Sequence, residues 1–288
     1  MAYLLALASA ALYGAADFLG GLASRRESTT AVVVLAQSAG LLALLLVIPF
    51  LPESSPSIQD LVWGTVAGVA GGAGVGLLYR ALAVGRMAVV APTTAVCAVV
   101  IPATAGLLAG DRLATHTAIG MVLALTAIVL VSREASGSDA SEARQGLFPR
   151  GTFIALAAGV AIGLFFLALA RAQPAAGMWP LVCARLGSVV LFGVLAIGTG
   201  QSLRLPRPVL KLAVAAGVLD MCANALYLVA SQGGPLSVIV TLASLYPAST
   251  VLLARIVLGE RLNAWQLSGV MCALVAIALI VGGDSLAF

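Results

Sequence analysis

The sequence predicts an all-α integral membrane protein of ten transmembrane helices, organised as two inverted five-helix repeats. Three observations predict it. The 288 residues are 61% hydrophobic and only 9% charged, with a mean hydropathy of +1.12, whereas an ordinary soluble domain carries roughly a quarter charged residues. Apolar runs close to the ~20 residues that cross a bilayer's hydrocarbon core recur ten times. The two sides of a central hydrophilic stretch also match one another at an offset of 148–149 residues, the mark of an internal repeat.

The first run, 2–23, is apolar but lacks the basic leader of a signal peptide and is followed at once by further spans, so it reads as the first helix. Arg25-Arg26-Glu27 closes it. The second, 31–51, ends at the segment between Pro52 and Pro56. The third, 60–83, is crowded with glycine; Gly68, Gly72 and Gly76 recur every four residues and predict a small-residue face for close helix approach. The fourth, 87–109, carries Pro92, Thr93, Thr94, Pro102 and Thr104, and the fifth covers 114–132. After the linker come 151–172, 176–198, 209–231, 235–258 and 263–283, with Gly233-Gly234-Pro235 marking the turn between the eighth and ninth. Internal Gly and Pro are tolerable in lipid, where neighbouring helices resatisfy the backbone. Trp63, Trp179 and Trp265 fall near helix ends, where an aromatic belt belongs.

The domain division is 1–132 for the first repeat, 133–150 for a flexible linker containing Ala135-Ser136-Gly137-Ser138-Asp139, and 151–288 for the second repeat. Gly110-Asp111-Arg112-Leu113 aligns with Gly259-Glu260-Arg261-Leu262, Tyr79 with Tyr227, Gly14 with Gly163 and Gln37 with Arg185. Five is odd, so the second half enters the membrane from the opposite side. Inverted repeats in transporters place the solute site between the halves near the midplane.

The stretch 226–282, with Tyr227, Gly233-Gly234-Pro235, Ser244-Leu245-Tyr246-Pro247 and Gly259-Glu260-Arg261-Leu262, resembles the carboxy-terminal half of the EamA family in the drug/metabolite transporter superfamily. Tyr13-Gly14, Gly85 and Gly110-Asp111-Arg112-Leu113 carry a looser likeness in the first half. The resemblance implies ten helices around a central cavity and alternating access of an amino acid, metabolite or drug-like solute, as an exporter. The family often has Arg near the start of both the second and seventh helices; here Arg185 keeps one and Gln37 stands in the other place.

Ionisable side chains inside spanning helices are costly and by default face a pathway or relay. Asp17, Arg185 and Asp220 are the candidates. Asp220, Asn224, Tyr227 and Ser231 form a polar stripe on one helix face, as Asp17 does with Tyr13 and Gly21. Asp220 either binds a cationic group or takes up a proton, or it pairs permanently with Arg185 or caps a polar cluster. Asp17 lies close enough to the helix end to be hydrated there. Arg185 binds a solute carboxylate, makes a structural pair, or snorkels. Thr94, Ser244 and Tyr246, in equivalent helices of the two repeats, are candidate cavity lining or interhelical contacts. With Gln37, these complete the candidate substrate or coupling site.

Other classes fit less well. The basic residues, of which Lys211 is the only lysine, are spread over connections and form no face for nucleic acid. Cys97, Cys183, Cys222 and Cys272 lie in apolar runs without metal or redox spacing and read as small buried hydrophobes. No catalytic, cofactor or ATP-binding motif is present. A membrane-embedded enzyme and a passive channel remain the alternatives to a secondary transporter. The expected partners are a small solute, protons as a coupling ion, and the lipid bilayer. A monomer is the simplest assembly, and the composition suggests a bacterial inner membrane. Basic residues after odd-numbered helices put both termini outside the cytoplasm, while the resemblance implies both inside.

Overall fold

The structure, a computed structural model, describes residues 1–85, 87–110, 115–131, 151–258 and 264–283. The linker 133–150 and most of the two Gly-acid-Arg-Leu segments lie outside the described residues. Most of the rest is helical: α1 (Ala2–Ser24), α2 (Thr29–Val47), α3 (Ile58–Val84), α4 (Met87–Leu108), α5 (Thr115–Val131), α6 (Thr152–Leu169), α7 (Trp179–Gly198), α8 (Arg207–Gln232), α9 (Leu236–Ala243), α10 (Tyr246–Leu258) and α11 (Ala264–Gly283). Among the described residues, six segments are long and apolar enough to cross a membrane, with shorter apolar helices at Thr93–Leu108, Ala118–Ala127 and Phe153–Leu169. Large apolar side chains such as Leu46, Val190, Val194 and Ile197 point outward. That is the arrangement expected of a lipid-facing surface and unfavourable in water.

One expected run is two helices. The ninth run, 235–258, stops at Ser244 and restarts at Tyr246. Pro247 has no N–H to give a preceding turn, but in the first turn of a new helix that donor is not needed. The amides of Ser244 and Leu245 bond back to Val240 and Leu242, closing α9 before the break. At the start of α3, Ser57 and Asp60 form a reciprocal capping box that begins the helix at Ile58. The cysteines differ from expectation as well: Cys222 is exposed and the other three are half-buried, all as free thiols. Facing lipid, a thiol is as apolar a choice as it is in a core.

The helices assemble in two layers, each drawn from both halves of the chain. In the first, α1 packs on α8, α9 and α10, and α2 packs on α8. In the second, α3 packs on α6 and α7, and α4 packs on α6. α5 pairs with α11 to one side, and the layers join where α2 meets α7, where α4 meets α9 and α10, and where α1 meets α3. Small residues set the separation. A Cβ on Gly68 would stand 2.6 Å from the Cα of Ala184, and one on Gly217 would stand 2.8 Å from the Cα of Ala36. Both distances are too short for any side chain, so these helices meet backbone to backbone. Gly64 and Gly72 extend the same ladder against Pro180 and Ser188.

The connections tie the ends. The Ser55 amide donates to the Ala175 carbonyl at 2.9 Å, and the Gln173 amide donates to the Asp60 carboxylate at 2.9 Å. The α2–α3 and α6–α7 connections therefore share one end of the bundle. The Ser28 hydroxyl meets the Gln201 side chain at 2.5 Å, which brings the α1–α2 and α7–α8 connections together.

Candidate functional site

A cavity opens between the two layers. Its first wall is polar: Tyr13 and Asp17 from α1, Gln37 from α2, Asp220 and Asn224 from α8, and Tyr246 from α10. Its second wall is largely apolar: Gly71, Val75 and Leu78 from α3, Ile162, Phe165 and Phe166 from α6, and Leu181, Ala184, Arg185 and Ser188 from α7. The space is narrow, about 50 Å³ by the measure in which one water needs roughly 10–15 Å³. A solute larger than a few waters needs the walls to part.

Arg185 is the charged residue of the apolar wall, and it reaches across into the polar one. Its Nη2 lies 2.6 Å from Asp220 Oδ2, its Nη1 donates to Gln37 Oε1, and its Nε approaches Met221 Sδ at 3.4 Å. Arg185 is 5% exposed and Asp220 9%. Separately, each charge would be very costly to hold away from water; paired and hydrogen-bonded, they are tolerable. The α8 stripe continues with Asn224, whose amide nitrogen donates to the Asp220 carbonyl at 2.7 Å. Its oxygen accepts from the Tyr13 hydroxyl at 2.8 Å. Tyr13 stands edge-on to Phe166 and Tyr246, with ring centroids 5.9 and 6.5 Å away, a favourable aromatic geometry.

Asp17 is 8% exposed, lines the cavity and has no hydrogen-bond or ion-pair partner among the described residues. It is not at the hydrated helix end that the sequence suggested. Near it, the Tyr246 hydroxyl is buried without a hydrogen bond.

Of the sequence candidates, Tyr13, Asp17, Gln37, Arg185, Asp220, Asn224 and Tyr246 thus meet in one cavity. The others do not line it. Tyr227 is fully buried behind Phe166, donating to its carbonyl at 3.4 Å. Thr94 joins α4 to α6 through the Ala155 carbonyl at 3.1 Å. Ser244 is enclosed at the α9–α10 break. The apolar wall went unnamed in the sequence, although the repeat offset points to it: Phe166 takes the place of Asp17, Gly71 that of Asp220 and Val75 that of Asn224. Among the described residues, no cluster of His, Cys, Asp and Glu could hold a metal ion.

No curated protein sequence matches the chain. A protein of known crystal structure shares the fold with a TM-score of 0.71 at 17% identity, over 96% of this chain and 95% of the other. The family described as the EamA-like transporter family matches residues 1–133 and 149–282. With both halves of the chain matched, and many apolar helices around a buried polar cavity, the chain belongs to the EamA-like transporter family and is a membrane transporter of the drug/metabolite type.

Proposed function

We propose that this protein is a secondary exporter of small solutes such as amino acids, metabolites or drugs, working by alternating access across a bacterial inner membrane. Ten spans in two inverted five-helix repeats would form it. The observation that carries the reading is the cavity held between two layers, with the Arg185–Asp220 pair crossing from one to the other. Both ions of that pair are withdrawn from bulk water, a cost that proteins bear in membranes chiefly where a pathway needs it.

The packing supports the repeat. Exchanging the halves turns α1 on α8 into α6 on α3, α2 on α8 into α7 on α3, and α1 on α10 into α6 on α4. It also turns the Gly68–Ala184 contact into Gly217–Ala36. The tied connections support the inversion, because the α6–α7 connection shares an end with α2–α3 and not with its counterpart α1–α2. One chain supplies both walls of the cavity, which favours a monomer. Protons are the proposed coupling ion, with the cavity carboxylates as their carriers.

The test is solute uptake into proteoliposomes holding the purified protein, with and without a pH gradient, alongside Asp220→Asn. The expected result is accumulation of at least one amino acid, amine or metabolite, driven by the gradient and lost in the variant while its size-exclusion profile is kept. Equilibration without accumulation would instead favour a passive channel, and chemical conversion of the solute would favour an enzyme.

A further inference from the structure

Two carboxylates and one guanidinium face the cavity from the described residues: Asp17, Asp220 and Arg185. The guanidinium is already committed to Asp220 and Gln37. Asp17 is left over. One helical turn from Tyr13 on the same face of α1, it is nine-tenths buried and unpartnered. The Tyr246 hydroxyl, from a residue lining the same cavity, is buried and unpartnered too. A carboxylate held away from water without a counter-charge is unfavourable, and a buried hydroxyl without a partner also costs free energy. Both deficits lie in the one cavity that Phe165 and Phe166 also line.

We infer that Asp17 and Tyr246 form a subsite for the ammonium group of an amine whose apolar or aromatic body rests against Phe165, Phe166 and Ile162. The inference rests on the proposed transport reading and names the solute class of that same cavity. An ammonium group offers three donors; the Asp17 carboxylate and the Tyr246 oxygen are acceptors with nothing else to accept. One positive charge also balances the one carboxylate that Arg185 does not. A carboxylate-bearing solute meets the opposite situation: Asp17 repels it, and the one cation of the cavity is held by Asp220. The subsite therefore favours an amine without a free carboxylate over an acid or a zwitterionic amino acid.

The experiment is calorimetric titration of the full chain in lipid nanodiscs with 2-phenylethylammonium, phenylacetate, 2-phenylethanol and phenylalanine. The ammonium probe is expected to bind, and the other three to bind at least about tenfold more weakly, the scale of a charge-assisted hydrogen bond. Asp17→Asn keeps the side-chain shape and removes the buried charge, so it is expected to stay folded while losing about tenfold or more in affinity for the amine. Tyr246→Phe is expected to lose a smaller factor, about threefold. Phenylacetate or phenylalanine binding as tightly as the amine would overturn the assignment, as would unchanged amine affinity in folded Asp17→Asn. Uptake assays on the same preparation separate the two claims. Amine binding without transport of any solute keeps the subsite and rejects the transport reading. Transport of another solute without amine binding keeps transport and rejects the subsite.

Discussion

The α1–α8 pair and the α3–α6 pair are built alike and lined differently. Each is a long helix laid along a helix from the other half of the chain, and each presents a face to the same cavity. From α1 and α8 that face carries Tyr13, Asp17, Asp220 and Asn224; from α3 and α6 it carries Gly71, Val75, Ile162 and Phe166. At an offset of 149 residues, one more than the Tyr79–Tyr227 match uses, these positions fall opposite one another, polar in one pair and apolar in the other. The close backbone contacts, Gly68 on Ala184 and Gly217 on Ala36, join α3 to α7 and α8 to α2, so one helix of each pair is held in the same way against a neighbour. At the cavity the two pairs differ in chemistry. The cavity therefore sets a polar wall against a largely apolar one.

The comparison is broken most severely by Arg185→Met, which strands Asp220 in the polar wall. A loss of about 3–5 kcal/mol in unfolding free energy is expected, measured by denaturation in detergent. Adding Asp220→Leu should recover most of it; no recovery would mean that Arg185 matters through contacts other than the pair. Gly68→Leu and Gly217→Leu are expected to destabilise by similar amounts, about 1–3 kcal/mol each, because each forces apart an equivalent backbone contact. Clearly unequal losses in the same assay would end the claim that the two contacts are equivalent. Asn224→Val gives the polar wall its counterpart's residue and removes the Tyr13 bond, at about 1 kcal/mol, with reduced solute uptake as the second readout. Smallest is Ser188→Ala, which deletes the 2.8 Å bond to the Gly68 carbonyl. Its counterpart, Gly40, lacks a side chain, and a change of about 0.5 kcal/mol in thermal unfolding is expected.

The helices were legible in the sequence because lipid demands long apolar runs, and the glycine ladder was legible because its period of four matches a helix face. The cavity was half legible. A charged residue in a spanning run declares itself, so Asp17, Arg185 and Asp220 could be named, but their partners depend on how each helix is rotated. Pairing was one of two readings for Asp220, and nothing in the pattern marked Asp17 as the unpaired carboxylate. Phe165 and Phe166 had no signal of their own, since an apolar side chain in a membrane helix suits lipid, packing and a cavity equally. Thr94, Tyr227 and Ser244 show the converse: hydroxyls of the expected type, turned by the packing toward backbone or an enclosed corner. The stop at Ser244 left no mark in the pattern, because hydropathy is blind to a turn within one apolar run.

The two layers do not coincide with the two halves of the chain, and this fixes where the chain must cross between them. It passes directly from one layer to the other between α2 and α3, and again between α7 and α8, through the non-helical residues 51–57 and 199–206. Seven or eight extended residues reach roughly 25 Å. These segments are tethers of similar length, so any separation of the two walls is bounded by contour length as well as by the strength of the contacts between them.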